Sequence, residues 1–461
     1  MRGPLATLAL IFAAWKLVLL AIVLLTPGSG YDSSTGLFIL PRGTGSHPQQ
    51  HIAGSLNDVL SAENGKSLSQ VSLAGLLSKF VRWDAFYFVS AAWKGYYTNE
   101  QDWAFSFGWT GVLSWLSQAW KLTNDQDTTV VLHGIILANV CHLLSAIVLF
   151  KLTELFLSDR PNSKFVHLPL IAAALHILSP AGVFLIAPYS EALYSFLSFL
   201  GYYLYAQGVF YRRQPSSTAG QNLFVLGSGI CFGVASTVRG NGLLNGLLFA
   251  YDAALWALRL TGFRISFAQA ELDKDSQYLS SIWSTILAGS MIGAGYIYPQ
   301  YVAYNEFCYM ADKKLQPPWC QQIPPGIYSS IQSRYWNVGP FKYWTASNIP
   351  LFLLAAPMLW VLYRAGTAAF RQSTSSQYLN STGQYVVRRL ALPQLAIALI
   401  TLTTAHVQII NRLASGYPLW YIWLASELCL RKDSSSSVTV RVMVMYGMIQ
   451  AALYSAFLPP A

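Results

Sequence analysis

Residues 5–25 read LATLALIFAAWKLVLLAIVLL, a run of about 21 residues in which Lys16 is the only charged side chain. A helix of that length rises about 30 Å, the thickness of a bilayer's hydrocarbon core. Apolar runs of the same kind recur at about 130–157, 168–187, 189–211, 222–238, 241–258, 281–303, 349–366, 390–410, 415–430 and 438–457. They are continuous rather than alternating, which argues against a β-barrel and predicts an all-α polytopic membrane protein with about eleven transmembrane helices. Composition agrees: 54% of the 461 residues are hydrophobic and 10% charged, where a typical soluble domain carries about 25% charged residues. An ordinary soluble enzyme is excluded. One membrane body over residues 1–461 is expected, not a string of soluble domains.

The net charge of +10 is assigned to membrane topology and implies no nucleic acid partner. With the N-terminus in the cytoplasm, every inside loop is basic. Those loops carry Arg160 and Lys164, Arg212 and Arg213, Arg259, Arg264 and Lys274, Arg364, Arg371, Arg388 and Arg389, and Arg431 and Lys432. The turns inside 168–211 and 222–258 are short enough that either pair of spans reads equally as a re-entrant hairpin. The first span follows Arg2 like a secretory signal, but it is long for a signal core, and Thr26-Pro27-Gly28 lacks a small-x-small cleavage site; an uncleaved anchor is expected. The sequon Asn380-Ser381-Thr382 falls on the cytoplasmic side and should stay unmodified.

Two long loops, 26–129 and 304–348, fall together on the opposite side of the membrane. Residues 27–72 are rich in Gly, Ser and small polar residues and read as a flexible insert. From Leu73 onward, Phe80, Trp83, Phe86, Tyr87, Trp93 and Tyr96 lie among charged residues in a pattern suited to helices in the membrane interface.

Ionisable groups near membrane depth are costly and need a reason. Arg82-Trp83-Asp84 offers an acid able to deprotonate a sugar hydroxyl, with Arg82 holding it ionised; the alternative is an interfacial ion pair. Glu100 and Asp102 form either a second carboxylate station or a solvated turn. Pro188-Tyr189-Ser190-Glu191 and Arg239-Gly240-Asn241-Gly242 lie at outer helix junctions, where an Arg can bind a lipid phosphate and Gly permits close backbone approach. His406, Gln408, Asn411 and Arg412 form a polar stripe that bare lipid would not tolerate, so a cavity is expected beside them. The second loop brings Trp319, Gln332, Tyr335, Trp336 and Asn337, aromatic and amide groups suited to sugar rings. Cys308 and Cys320 are placed to bridge if that side is oxidising. No HExxH or close His pair is present, and the Asp-x-Asp of Asp125 and Asp127 reads as a solvated turn; no metal is expected.

Arg82-Trp83-Asp84-Ala85-Phe86-Tyr87-Phe88, continued by Gly95-Tyr96 and Glu100, resembles the first-loop signature of the second GPI mannosyltransferase, the PIG-V family, in a fungal form. Ser179-Pro180-Ala181, Pro188-Tyr189-Ser190-Glu191, Arg239-Gly240-Asn241-Gly242, Pro318-Trp319-Cys320, Tyr335-Trp336-Asn337-Val338-Gly339 and His406-Val407-Gln408 with Arg412 resemble its further motifs in order, over about residues 73–430. One departure is Ala104-Phe105-Ser106-Phe107-Gly108, where the family pattern calls for a Phe-Phe-Pro-like turn. The resemblance implies a GT-C-type glycosyltransferase of the endoplasmic reticulum membrane with a lumenal site and no cofactor. Its donor substrate would be dolichyl-phosphate mannose and its acceptor a mannosylated glucosaminyl-phosphatidylinositol. It would add the second, α-1,6-linked mannose with inversion, Asp84 acting as base and Arg239 or Arg412 steadying the departing phosphate, and a small accessory membrane subunit is a possible partner. Two other readings stay open: a transferase of the same architecture with a different acceptor, and a multispan lipid or sugar transporter, whose polar residues should cluster at the bilayer midplane.

Overall fold

A computed structural model describes residues 3–27, 73–157, 163–212, 218–261, 278–309, 316–371, 378–430 and 434–458. The expected flexible insert lies, from residue 28 to 72, outside the described residues. The chain is helical throughout its named elements. In order these are α1 (Pro4–Leu25), α2 (Leu73–Ser78), α3 (Asp84–Lys94), α4 (Phe107–Ala119), α5 (Gln126–Phe156), α6 (Leu168–Ile177), α7 (Glu191–Arg212) and α8 (Thr218–Val238). They continue as α9 (Leu247–Leu260), α10 (Tyr278–Tyr304), α11 (Ile327–Tyr335), α12 (Ile349–Phe370), α13 (Ser381–Thr403), α14 (Ile410–Leu413), α15 (Leu419–Leu430) and α16 (Ser434–Ser455). Among the described residues, 7 helices are long and apolar enough to cross a membrane, and α6 and α15 are shorter apolar helices. Each of the eleven apolar runs contains a helix.

Helix α1 buries Leu8, Trp15, Leu19 and Val23 and packs against α5, α6 and α16, so the first span is a working part of the bundle. The core falls into two large clusters, one beneath α1, α3 and α5, the other among α7, α8, α12, α13 and α15. A third cluster joins the two long loops: Trp103 from the first packs with Cys308, Trp319, Ile327 and Ile331 from the second. The two loops therefore share one side of the bundle. Within the first, α3 carries Phe86, Tyr87 and Trp93 of the aromatic pattern and packs on α4.

Three expectations are corrected. The run 168–187 is not one helix: α6 stops at Ile177, ahead of Ser179-Pro180, and the chain continues as a 3-10 turn, Gly182–Leu185, before α7 begins at Glu191. A proline disfavours helix in the residue before it, and the freed backbone groups are tolerated at this depth because the segment is buried in protein. The run 390–410 is displaced toward the N-terminus. Asn380 caps α13, its Oδ1 accepting from Gly383 N at 2.7 Å, and the helix ends at Thr403. Finally, Arg212 and Arg389 are not loop cations. Both are buried beside Asp252, which accepts from Arg389 Nε at 2.8 Å and lies 3.8 Å from Arg212, with Tyr205 and Tyr385 donating to the same carboxylate. A buried charge persists only when paired, and this one is paired twice.

Candidate functional site

A cavity of about 1190 Å³ opens among the C-terminal ends of α8, α10 and α13 and the two loops. Asp84 reaches it from the first position of α3, where the helix N-terminus favours a carboxylate. Its neighbour Trp83 is held at φ +54°, a conformation that costs a non-glycine residue about 1–3 kcal/mol and marks backbone constrained by its surroundings. The constraint is visible: Tyr189 Oη donates to Arg82 O at 3.0 Å, while Tyr454 Oη donates to Phe80 O at 2.8 Å.

Four charged groups form a chain at the cavity wall. Arg412 donates from one terminal nitrogen to Asp84 Oδ2 at 2.9 Å, and its Nε lies 2.9 Å from Glu191 Oε1. The same Glu191 oxygen lies 2.6 Å from Arg239, which also donates to Ser190 Oγ at 3.1 Å. Burial alone lowers the Arg412 pKa, but Glu191 and then Asp84 outweigh it and hold the guanidinium above its ordinary value. Asp84 is 36% exposed and Glu191 2%, so the first meets whatever enters the cavity and the second lies behind the two arginines. The cation hydrogen-bonded to Asp84 is thus Arg412, far away in sequence. The neighbouring Arg82 guanidinium lies 4.7 Å from the centre of the Phe457 ring.

Of the residues singled out in the sequence, Trp83, Asp84, Tyr189, Arg239, Asn241, Gln332, Trp336, His406 and Arg412 line the cavity. Asn241 donates to Tyr417 Oη at 3.1 Å, and Gly242 is required beside it: a Cβ there would stand 2.8 Å from the Ser236 backbone. His406 Nε2 donates to Trp336 O at 2.9 Å and its ring stacks on Tyr343. Gln408 joins the wall, whereas Asn411 is buried away from it.

Others stand outside the wall. Glu100 accepts from Trp319 Nε1 at 3.2 Å, and Trp319 is a core residue between the loops rather than an open platform. Asp102 accepts from the Thr98 and Asn99 amides as a helix cap, and Asp125 caps α5, accepting from Thr128 N at 2.9 Å. Tyr335 is exposed beyond the wall, and Asn337 adopts φ +50°, which its short polar side chain tolerates. Cys308 and Cys320 are disulfide-bonded, with Cα atoms 5.6 Å apart, and tie down the loop beneath Trp319. Tyr296, Gln300, Tyr328, Lys342 and Thr404 line the cavity without having been singled out. The one signal for the first three is Pro299 inside an outer helix end beside Gln300, whose side chain accepts from Tyr328 N.

An accessible carboxylate held beside a guanidinium, under aromatic walls, suits deprotonation of a hydroxyl next to a departing anion. Among solved structures, the apo oligosaccharyltransferase of Archaeoglobus fulgidus is similar with a TM-score of 0.46 and 10% identity, over 98% of this chain and 56% of that one. A curated protein of Aspergillus oryzae, "GPI mannosyltransferase 2", is 36% identical over 472 residues, covering 100% of this chain and 96% of its own. A Yarrowia lipolytica protein of the same name is 31% identical, covering 99% of each chain. Residues 44–461 match the family described as "Mannosyltransferase (PIG-V)". The chain therefore belongs to the PIG-V family of mannosyltransferases.

Proposed function

We propose that the chain adds the second mannose of the GPI core, in α-1,6 linkage, taking it from dolichyl-phosphate mannose and passing it to a mannosylated glucosaminyl-phosphatidylinositol. In this reading it is a GT-C-type enzyme working at the lumenal face of the endoplasmic reticulum membrane. The fungal relatives named "GPI mannosyltransferase 2" support the acceptor class, and the Cys308–Cys320 disulfide in the loop that lines the site fits an oxidising lumen. The observation that carries the mechanism is the open Asp84 carboxylate paired to Arg412 at 2.9 Å.

The donor is β-linked and the product α-linked, so one in-line displacement suffices and no covalent sugar–enzyme intermediate forms. Asp84 takes the proton of the acceptor 6-hydroxyl as its oxygen bonds to the mannose anomeric carbon, and the bond from that carbon to the phosphate oxygen breaks. The phosphate passes from a singly charged diester to a more highly charged monoester. Meanwhile Asp84 becomes neutral, so Arg412 loses one of its two anions at the moment a new one appears in the cavity. The charge that leaves the base reappears on the leaving group, with the guanidinium positioned for both.

The test incubates the purified full chain with radiolabelled dolichyl-phosphate mannose and the one-mannose GPI precursor, beside Asp84→Asn. Label in a two-mannose GPI that the variant fails to produce supports the proposal. No label from the wild-type chain, even with microsomes lacking the endogenous enzyme added to supply an accessory subunit, overturns it.

A further inference from the structure

Among the described residues, charge accounting around the cavity leaves one cation over. Asp84 and Glu191 offset Arg412 and Arg239, so that four-membered chain is neutral at rest. Lys342 lines the same cavity, and among the described residues its ammonium makes no hydrogen bond or ion pair. The backbone beneath it is nonetheless fixed. The turn that carries it is clipped to the outer end of α13: Gly339 N donates to Thr404 O at 3.1 Å, Phe341 N to Thr403 O at 2.6 Å and Trp344 Nε1 to Leu402 O at 2.8 Å. Phe341 is held at φ +56°. The lysine stem lies across Gly339, where an added Cβ would stand 2.9 Å from Lys342 Cδ.

The surroundings are those of a lipid head group. Phe341 and Trp344, on either side of Lys342, are exposed aromatic residues of the kind that anchor at membrane interfaces. From Thr404, beside the turn, the cavity wall follows one face of α13 through Thr401 and Ile400 to Ile397. That spacing of three and four residues makes a continuous stripe about 10 Å long. It runs from a cation at one end to the exposed Ile400, with Ile397 buried beyond it.

We propose that Lys342 is the docking cation for the phosphate of a polyprenyl-phosphate sugar donor, whose isoprenoid chain passes against the exposed Ile400 of α13; this rests on the donor reading given above. Lys342 offsets the single charge that the donor brings in its ground state. Arg412 meets the further charge that develops as the sugar leaves. The division separates binding from turnover, because a contact made equally in ground and transition states acts on KM, and one made only in the transition state acts on kcat. A phosphate on the acceptor's phosphatidylinositol shares the chemistry, but a single exposed isoleucine beside the cation, Ile400, matches one isoprenoid chain better than two acyl chains.

Binding of dolichyl phosphate, the reaction product, is measured on the detergent-solubilised full chain, with phosphatidylinositol in a parallel titration, for wild type, Lys342→Met and Lys342→Arg. The expected result for Lys342→Met is about tenfold weaker dolichyl phosphate binding, a matching rise in donor KM, unchanged phosphatidylinositol binding and unchanged acceptor KM, with Lys342→Arg restoring most of the loss. Wild-type binding of dolichyl phosphate that survives Lys342→Met undiminished overturns the inference, as does a loss confined to phosphatidylinositol or to acceptor KM. A wild-type chain that binds no dolichyl phosphate overturns the donor reading beneath it instead.

Discussion

Asp84 and Glu191 are two carboxylates on one guanidinium, and their surroundings give them different work. Asp84 is open to the cavity, so Asp84→Asn should abolish mannose transfer, a fall of at least about 10³-fold, while thermal unfolding in detergent is unchanged because the amide keeps the volume and one acceptor for Arg412. Glu191 is buried and lies within 2.9 Å of both arginines. Glu191→Gln leaves two cations facing each other across a neutral group, and should cost about 3 kcal/mol of stability, read as a lower unfolding temperature, together with lost activity. Equal stability losses in the two variants would refute this division. Asp84, Glu191, Arg239 and Arg412 were each visible as ionisable residues at outer helix ends, because such residues are rare there and need a reason. Their pairing was not. Adjacency favoured Arg82 for Asp84, yet the partner lies 328 positions away, and no local pattern reports a contact of that range. Trp319 failed for a related reason: an aromatic side chain suited to a sugar ring is equally suited to a core between two loops, and only packing separates the two.

At the scale of elements, the broken helix between α6 and α7 does the positioning. Residues 179–190 are buried throughout, and their backbone groups find partners from other helices. Lys16 Nζ in α1 donates to Leu185 O at 2.8 Å, and Trp109 Nε1 in α4 donates to Pro188 O at 3.2 Å. The segment then delivers Tyr189 beneath the Arg82 carbonyl and Glu191 between the two arginines. Lys16, the lone charge in the first span, thus has a structural reason: it replaces a backbone donor that the interrupted helix lacks. Lys16→Met should leave the Leu185 carbonyl without that donor, lower stability by about 1–3 kcal/mol and reduce kcat several-fold with little change in either KM. Unaltered unfolding and turnover would show that the contact does not matter. Helix positions were legible because continuous apolar runs of spanning length have few alternatives in lipid. Their ends were less so. Hydropathy does not register Pro180 stopping α6 or Asn380 starting α13 ten residues ahead of the apolar run, since a cap acts through hydrogen bonds and not through apolar area.

For the whole molecule, the arrangement of charge ties the site to one side of the membrane. The charged cavity wall lies with the two long loops, whereas Arg212, at the far end of α7, pairs with Asp252 and Arg389 from within α9 and α13. In the proposed function the cavity opens to the lumen, an orientation that the basic loops predict and a glycosylation reporter tests. The natural sequon at Asn380 is a poor reporter of that orientation. Its amide donates to Leu155 O and Leu157 O at 2.8 and 2.9 Å while its oxygen caps α13, so it should stay bare on either side. A usable reporter needs an exposed position. Lys121→Asn supplies one with a single change, forming Asn-Leu-Thr with the native Leu122 and Thr123 in an exposed stretch just before α5. That variant should gain an endoglycosidase-sensitive increase in mass. The opposite side is reported by Lys164→Asn combined with Val166→Thr, ahead of α6, which should gain none. Glycan at the second position and not at the first would invert the bundle, move the charged cavity to the cytoplasm and remove the lumenal reaction with it.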